Sequence, residues 1–180
     1  MSEIYEPAED SYLMSDILSK ELSKLLKKNP ILKFLEMGCG SGINLATAKS
    51  VGVKNITGVD INKKAVEQCK KLGFDCMASD LFENVKGKFD VIAFNPPYLP
   101  LDSKESKSSK VATTGGKKGN EVIIRFLKQA KKHLAEKGKI FVITSSLSQR
   151  VDFERLSYES EMLKKQKLFF EEIYVWKLSR

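Results

Sequence analysis

Short apolar runs alternate with helix-patterned segments through most of this chain, and that alternation restricts the fold more than any other feature. Ile31 to Met37, Asn55 to Asp60, Phe74 to Ala78, Phe89 to Phe94 and Lys139 to Thr144 read as strands. Between them, helices are expected from about Ile43 to Val51, from Lys63 to Leu72, and from Glu121 to Glu136, where Gly138 breaks the last. Strands that alternate with helices predict a parallel sheet joined by crossovers. Ahead of the first strand, Ser11 to Lys28 sets Leu13, Met14, Ile17, Leu18, Leu22, Leu25 and Leu26 on one helical face. Pro7 suits the first turn of that helix, and Glu9 with Asp10 complements the positive end of its dipole. Beyond the fifth strand, the pattern predicts a helical segment near Val151 to Leu163. A terminal hairpin is expected over Lys167 to Leu178, where Phe169, Ile173, Val175 and Trp176 favour strand.

The 180 residues are enough for one domain with a proper core, and no repeat or second domain shows in the pattern. No stretch approaches the roughly 18 apolar residues that a membrane span needs. The acidic opening carries no apolar secretory core, so a cytoplasmic protein without membrane association is expected. Cys39, Cys69 and Cys76 are odd in number and form no Cys-x-x-Cys pair, which suits buried free thiols in a reducing compartment. His133 is the only histidine, so neither a metal site nor a histidine-activated nucleophile is expected. The formal charge of +8 can attract nucleic acid, yet much of it is lysine interleaved with glutamate, as at Lys20-Glu21, on faces that read as solvated.

Chemistry-bearing residues fall at successive strand ends, where open α/β sheets place their ligands. After the first strand comes Glu36-Met37-Gly38-Cys39-Gly40-Ser41-Gly42, a turn through which backbone can approach a ligand closely. It lacks the Lys-Ser/Thr ending of a phosphate-binding loop, and its glycine spacing differs from Gly-x-Gly-x-x-Gly. Asp60 closes the second strand, placed to accept hydrogen bonds from both hydroxyls of a ribose. To this point either a nicotinamide or an S-adenosylmethionine ligand is allowed. Asp80, after the third strand, decides between them. It can accept from the exocyclic amine of an adenine, with Leu81 packed on the ring. Glu36 is badly placed for a phosphate and suits a cofactor with a cationic amino-acid end.

The fourth strand ends in Asn95-Pro96-Pro97-Tyr98, which nearly names a reaction. The Asn95 carbonyl and a proline backbone carbonyl offer two acceptors for the hydrogens of a planar NH2 group. The prolines stiffen the loop, and Tyr98 supplies a flat face to cover the gripped group. Taken alone, the tetrapeptide could be a proline-rich turn leaving a strand, and each acid an ordinary turn residue. The long irregular stretch from Leu101 to Gly119 follows directly and reads as a substrate-contacting loop.

In these motifs the chain resembles the class I S-adenosylmethionine-dependent methyltransferases, and among them the HemK-like glutamine methyltransferases. Asn95-Pro96-Pro97-Tyr98 is shared by enzymes that methylate planar amines and amides. Tyr5-Glu6-Pro7-Ala8-Glu9-Asp10-Ser11-Tyr12-Leu13 and Gly115-Gly116-Lys117-Lys118-Gly119-Asn120-Glu121-Val122 resemble the archaeal and eukaryotic release-factor branch. The likeness runs from about Tyr5 to Thr144. It implies an α/β, Rossmann-like fold with a mostly parallel seven-stranded sheet, a terminal antiparallel hairpin and helices on both faces. Residues 1–180 would form a single methyltransferase domain, with 1–30 as a helical segment over the cofactor site and 101–119 as the substrate-side loop.

The resemblance further implies S-adenosyl-L-methionine as cofactor, leaving S-adenosyl-L-homocysteine. Its contacts would come from Ser11, Glu36, Gly38, Gly40, Asp60, Asp80, Leu81 and Asn95, with Asn95, Pro96 and Tyr98 gripping the substrate. The implied reaction is methylation of a glutamine amide nitrogen in the Gly-Gly-Gln loop of a peptide chain release factor. A small zinc-binding activator protein is an implied partner. The Lys/Ser-rich stretch between Leu101 and Thr113 departs from any family pattern, which leaves the docking surface open. Methylation of an adenine amine in DNA or RNA is the alternative, favoured by the basic charge and opposed by the lack of room for a recognition domain. A non-enzymatic scaffold that keeps the fold is opposed by the intact acidic set and Asn95.

Overall fold

A computed structural model describes residues 4–101 and 113–180 of the chain. Helix α1 (Glu9–Leu26) precedes strand β1 (Lys33–Met37), and α2 (Ile43–Ser50) leads to β2 (Asn55–Asp60). Helix α3 (Lys63–Lys71) connects to β3 (Asp75–Ala78), followed by β4 (Phe89–Phe94) and the short β5 (Leu99–Pro100) and β6 (Thr114–Gly116). Helix α4 (Glu121–His133) then runs straight into β7 (Leu134–Ser145), and β8 (Glu159–Leu168) and β9 (Glu171–Ser179) close the chain. The main sheet has seven strands in the order β3-β2-β1-β4-β7-β9-β8. The first five are parallel, and β9 and β8 join antiparallel.

Alternating side chains send the two faces of this sheet into two cores. Leu35, Met37, Ile92, Phe94, Ile140 and Val142 face α4 and the segment holding Val151, Phe153 and Tyr158. Phe34, Val91, Ala93, Phe141 and Ile143 face α1, α2 and α3, where Met14, Leu18 and Leu22 are wholly buried. Burial on both faces explains why the central strands are continuous apolar runs. The chain order reverses between β1 and β4, which pair with Met37 opposite Phe94. The crevice beyond that reversal is the place where such folds bind ligands.

The expected helix near Val151 to Leu163 does not form. Residues 153–157 make a tight turn, and the chain is already in β8 by Glu159, so the hairpin begins earlier than Lys167. Strand β8 has no buried residue, and among the described residues its only sheet partner is β9. The ladder to β9 overrides a local composition that favours neither face. Helix α4 ends at His133 rather than Glu136, because Leu134 is recruited to β7 opposite Phe89, with a register shift before Val91. Neither β5 nor β6 was expected. They pair with each other just past the Asn95 loop. No helix among the described residues is long and apolar enough to cross a membrane.

Candidate active site

A cavity of about 450 Å³ opens at the carboxyl ends of the parallel strands. Ser11, Glu36, Gly38, Gly40, Asp60, Asp80, Leu81, Asn95, Pro96 and Tyr98 all line it, so the structure gathers every residue singled out from the sequence. The strand ends carry most of them. Helix α1 brings Asp10 and Ser11, and Ile4 and Tyr5 close one side.

Asp60 is half-buried and tied by both oxygens, to Gly40 N–H at 2.9 Å and to Asn62 N–H at 2.8 Å. Burial pushes its carboxyl upward, against those backbone donors. It thus pins the glycine turn while keeping lone pairs toward the cavity. Asp80 is engaged by Arg125 from α4 in a two-pronged pair, at 2.6 and 2.9 Å. Any hydrogen bond from an adenine must share that carboxylate with the guanidinium. Leu81 has φ of 49°, a conformation that costs a leucine about 1–3 kcal/mol and recurs at functional sites.

Asp10 is the hydrogen-bond hub beneath the Asn95 loop, although by sequence it serves only the helix dipole. It is buried, and its Oδ2 accepts from Asn95 Nδ2 at 3.1 Å and from the Tyr98 hydroxyl at 3.0 Å. Its Oδ1 accepts from Ser11 N–H at 2.6 Å and Ser11 Oγ at 3.2 Å, and the Tyr5 hydroxyl also donates to it. Burial first, and then the Asp10 charge, push both phenols well above their ordinary value, so they stay donors. An ionised carboxylate only accepts, so the amide NH2 of Asn95 must face Asp10 and its carbonyl must face away.

That carbonyl, Asn95 Oδ1, is buried without a donor. So are Glu36 Oε2 and Asn44 Oδ1, and these three are the buried orphan side-chain atoms among the described residues. All three residues line the same cavity. Glu36 receives Asn44 Nδ2, at 2.8 Å, on its other oxygen, and burial, outweighing Asn44 and the Leu45 backbone N–H, raises its carboxyl to about 8. Buried acceptors without donors are costly, and a site that collects three of them is shaped for a donor-rich ligand. Asn44 and Arg125, like Asp10, were not singled out from sequence. Both lie on helices, and only packing turns them to the strand ends.

The Leu101–Gly119 loop is only partly described, and Lys104, Lys107 and Lys110 lie outside the described residues. From its far end, Thr113 and Thr114 reach the cavity wall. Gly115 presses on the Asn95 loop. A Cβ there would lie 2.6 Å from the Pro97 carbonyl oxygen, among backbone atoms that cannot yield.

Fold and cavity together define a doubly wound α/β methyltransferase domain. The chain belongs to the methyltransferase small domain family, whose model matches residues 11–170. A Methanocaldococcus jannaschii protein, named as a protein N5-glutamine methyltransferase, is 40% identical over 98% of this chain and 93% of its own. The eRF1 methyltransferase catalytic subunit of Schizosaccharomyces pombe is 30% identical over 78% of this chain and 72% of its own. Among solved structures, a ribosomal protein L11 methylase from Lactobacillus delbrueckii superposes with a TM-score of 0.57. That match has 18% identity and covers 90% of this chain and 78% of the other, a likeness of fold. The sequence-based resemblance to the glutamine methyltransferases is borne out by these relatives.

Proposed function

We propose that this chain methylates the side-chain amide nitrogen of a protein glutamine, with S-adenosyl-L-methionine as donor, in the Gly-Gly-Gln loop of a translation termination factor. The observation that carries the reading is the trio of buried acceptors without donors, Glu36 Oε2, Asn44 Oδ1 and Asn95 Oδ1, around one cavity. The first two fit the ammonium of an amino-acid end, and the third fits an N–H of an amide substrate. Relatives named for glutamine and for eRF1 methylation support the acceptor.

The cofactor, when bound, supplies a methyl group already activated on a sulfonium, so the chain needs neither a metal nor a covalent intermediate. Glu36 and Asn44 would hold its amino-acid end, Asp60 the ribose hydroxyls, and Asp80 and Leu81 the adenine. Gly38 and Gly40 let the backbone close on it, and Ser11 closes it from α1. Asn95 takes one amide hydrogen and a proline carbonyl the other, which aims the nitrogen and favours charge gathering on it. Tyr98 covers the amide plane, and Pro96 keeps the loop stiff. Bond formation at the amide nitrogen would be balanced by loss of the methyl from the bound sulfonium, where the electron pair would stay. The amide proton then passes to water, since both phenols are held protonated.

Residues 1–30 serve in this scheme as the cover of the cofactor and 101–119 as the substrate-side loop. The name of the yeast relative, a catalytic subunit, supports a partner chain, for which a small zinc-binding activator is our choice. Such a reaction belongs in the cytoplasm. The test offers labelled cofactor with intact release factor, its Gln-to-Ala variant and adenine-containing oligonucleotides, with and without the activator. Label on intact release factor alone supports the reading. Label on oligonucleotide and none on release factor overturns it in favour of adenine methylation.

A further inference from the structure

Three elements distant in sequence bring their only sulfhydryl groups to one point. Cys39 lies in the glycine turn after β1, Cys69 on α3 and Cys76 in β3, and the chain has no other cysteine. All three are buried, and their sulfurs lie within 4.8 Å of one another. Cys69 also donates to the Gly40 carbonyl at 3.6 Å.

The space they occupy is kept open. Gly58 stands opposite Cys76 in the β2–β3 register, and a Cβ there would come within 2.6 Å of the Cys76 sulfur and 3.3 Å of Cys39 Cβ. A core that needed only packing could fill this volume with methyl groups, which satisfy close packing without polarisable atoms. Here a missing side chain makes room for the Cys76 sulfur beside Cys39.

No histidine or carboxylate joins the group among the described residues. Three soft donors without a fourth suit a thiophilic ion content with three ligands, whereas zinc prefers four. Metal–sulfur bonds of about 2.3 Å in a trigonal plane would set the sulfurs about 4 Å apart, within the observed spread. We propose that Cys39, Cys69 and Cys76 form a three-coordinate site for one thiophilic d10 cation of the Cu(I) class, behind the glycine turn. Each thiol that binds releases its proton to solvent, and no electron is transferred. Gly38 and Gly40 line the cavity while Cys39 between them turns away from it, so a bound ion would tie the turn to α3 and β3. The site stands independently of the methyl acceptor.

The test uses the full chain, reduced and freed of metal by chelation. Cu(I), buffered by a competing chromogenic chelator, and Zn(II) are titrated separately. The expected result is saturation at one Cu(I) per chain, a sulfur-to-metal charge-transfer band in the near ultraviolet, and three sulfur neighbours by X-ray absorption. Cys39→Ser, Cys69→Ser and Cys76→Ser should each lose the band and the stoichiometric binding. The X-ray absorption result needs no variant, so a misfolded variant leaves the proposal exposed to test. Absence of saturable Cu(I) binding overturns it. So does a site with fewer than three sulfurs, retention of full binding in the serine variants, or saturable zinc binding without saturable Cu(I) binding.

Discussion

At the scale of single residues, the proposed roles divide the cavity into groups for substrate and groups for cofactor. Asn95→Ala should slow methyl transfer about 100- to 1000-fold, the usual loss of about 2.7–4 kcal/mol for an oriented transition-state contact. Cofactor affinity should stay within a few-fold, and near-normal single turnover would remove Asn95 from that role. Asp10→Asn should slow the reaction about 10- to 150-fold, because the amide of Asn95 loses the charged acceptor that orients it, a bond worth about 1.5–3 kcal/mol. Asp60→Ala should instead weaken cofactor binding about 10- to 150-fold in titration calorimetry. It removes a ribose acceptor and frees the Gly40 N–H that pins the turn.

At the scale of elements, the Asn95 loop is abutted from outside by a neighbour that lies in the irregular stretch of the sequence. Residues Leu99 and Pro100 of β5 pair with Thr114 and Gly116 of β6, and between the paired residues Gly115 abuts Pro97. Gly115→Ala should displace the Asn95 loop, cutting the rate at least tenfold. Thermal stability should fall as well, since the buried Cβ would press on the Gly119 and Pro97 carbonyl oxygens. Unchanged kinetics would show that the loop has room to yield. The terminal hairpin teaches the opposite lesson. Trp176, Val175 and Ile173 announce β9 by their branching and aromaticity, and it pairs with β7 as a buried strand. Its partner β8 carries charge on both faces, and nothing within its own residues marks it as strand.

For the whole molecule, the buried Glu36 couples stability to pH. Its carboxyl titrates at about 8 in the folded protein, against 4.5 ordinarily, so the folded state binds the proton more tightly. The stability this contributes is complete below about pH 4.5 and is lost as pH rises to about 8, with a slope approaching 1.36 kcal/mol per pH unit. The thermal midpoint of the ligand-free protein should therefore fall across that window relative to Glu36→Gln. Parallel pH profiles for the two proteins would contradict a protonated Glu36. A cationic ligand end beside Glu36 favours its charged form. Cofactor binding should thus tighten as pH rises toward about 8 and release a proton detectable by calorimetry in buffers of different ionisation enthalpy.

The sequence by itself determined the parallel strands, the crossovers and the acids and Asn95 at the strand ends. Those signals are local: an apolar run long enough for a strand, a glycine turn behind it, a polar residue where it stops. Strand ends of an open sheet converge on one crevice, so polar residues at successive ends share one cavity. What only the tertiary structure decided rests on contacts between distant segments. Asp10 faces Asn95 across 85 positions, Arg125 reaches Asp80 from another helix, and β8 becomes a strand because β9 is there. The three cysteines are the sharpest case. Their spacing carries no motif, yet a turn, a helix and a strand bring them within 4.8 Å, because packing pairs residues by their places in the sheet and not in the chain.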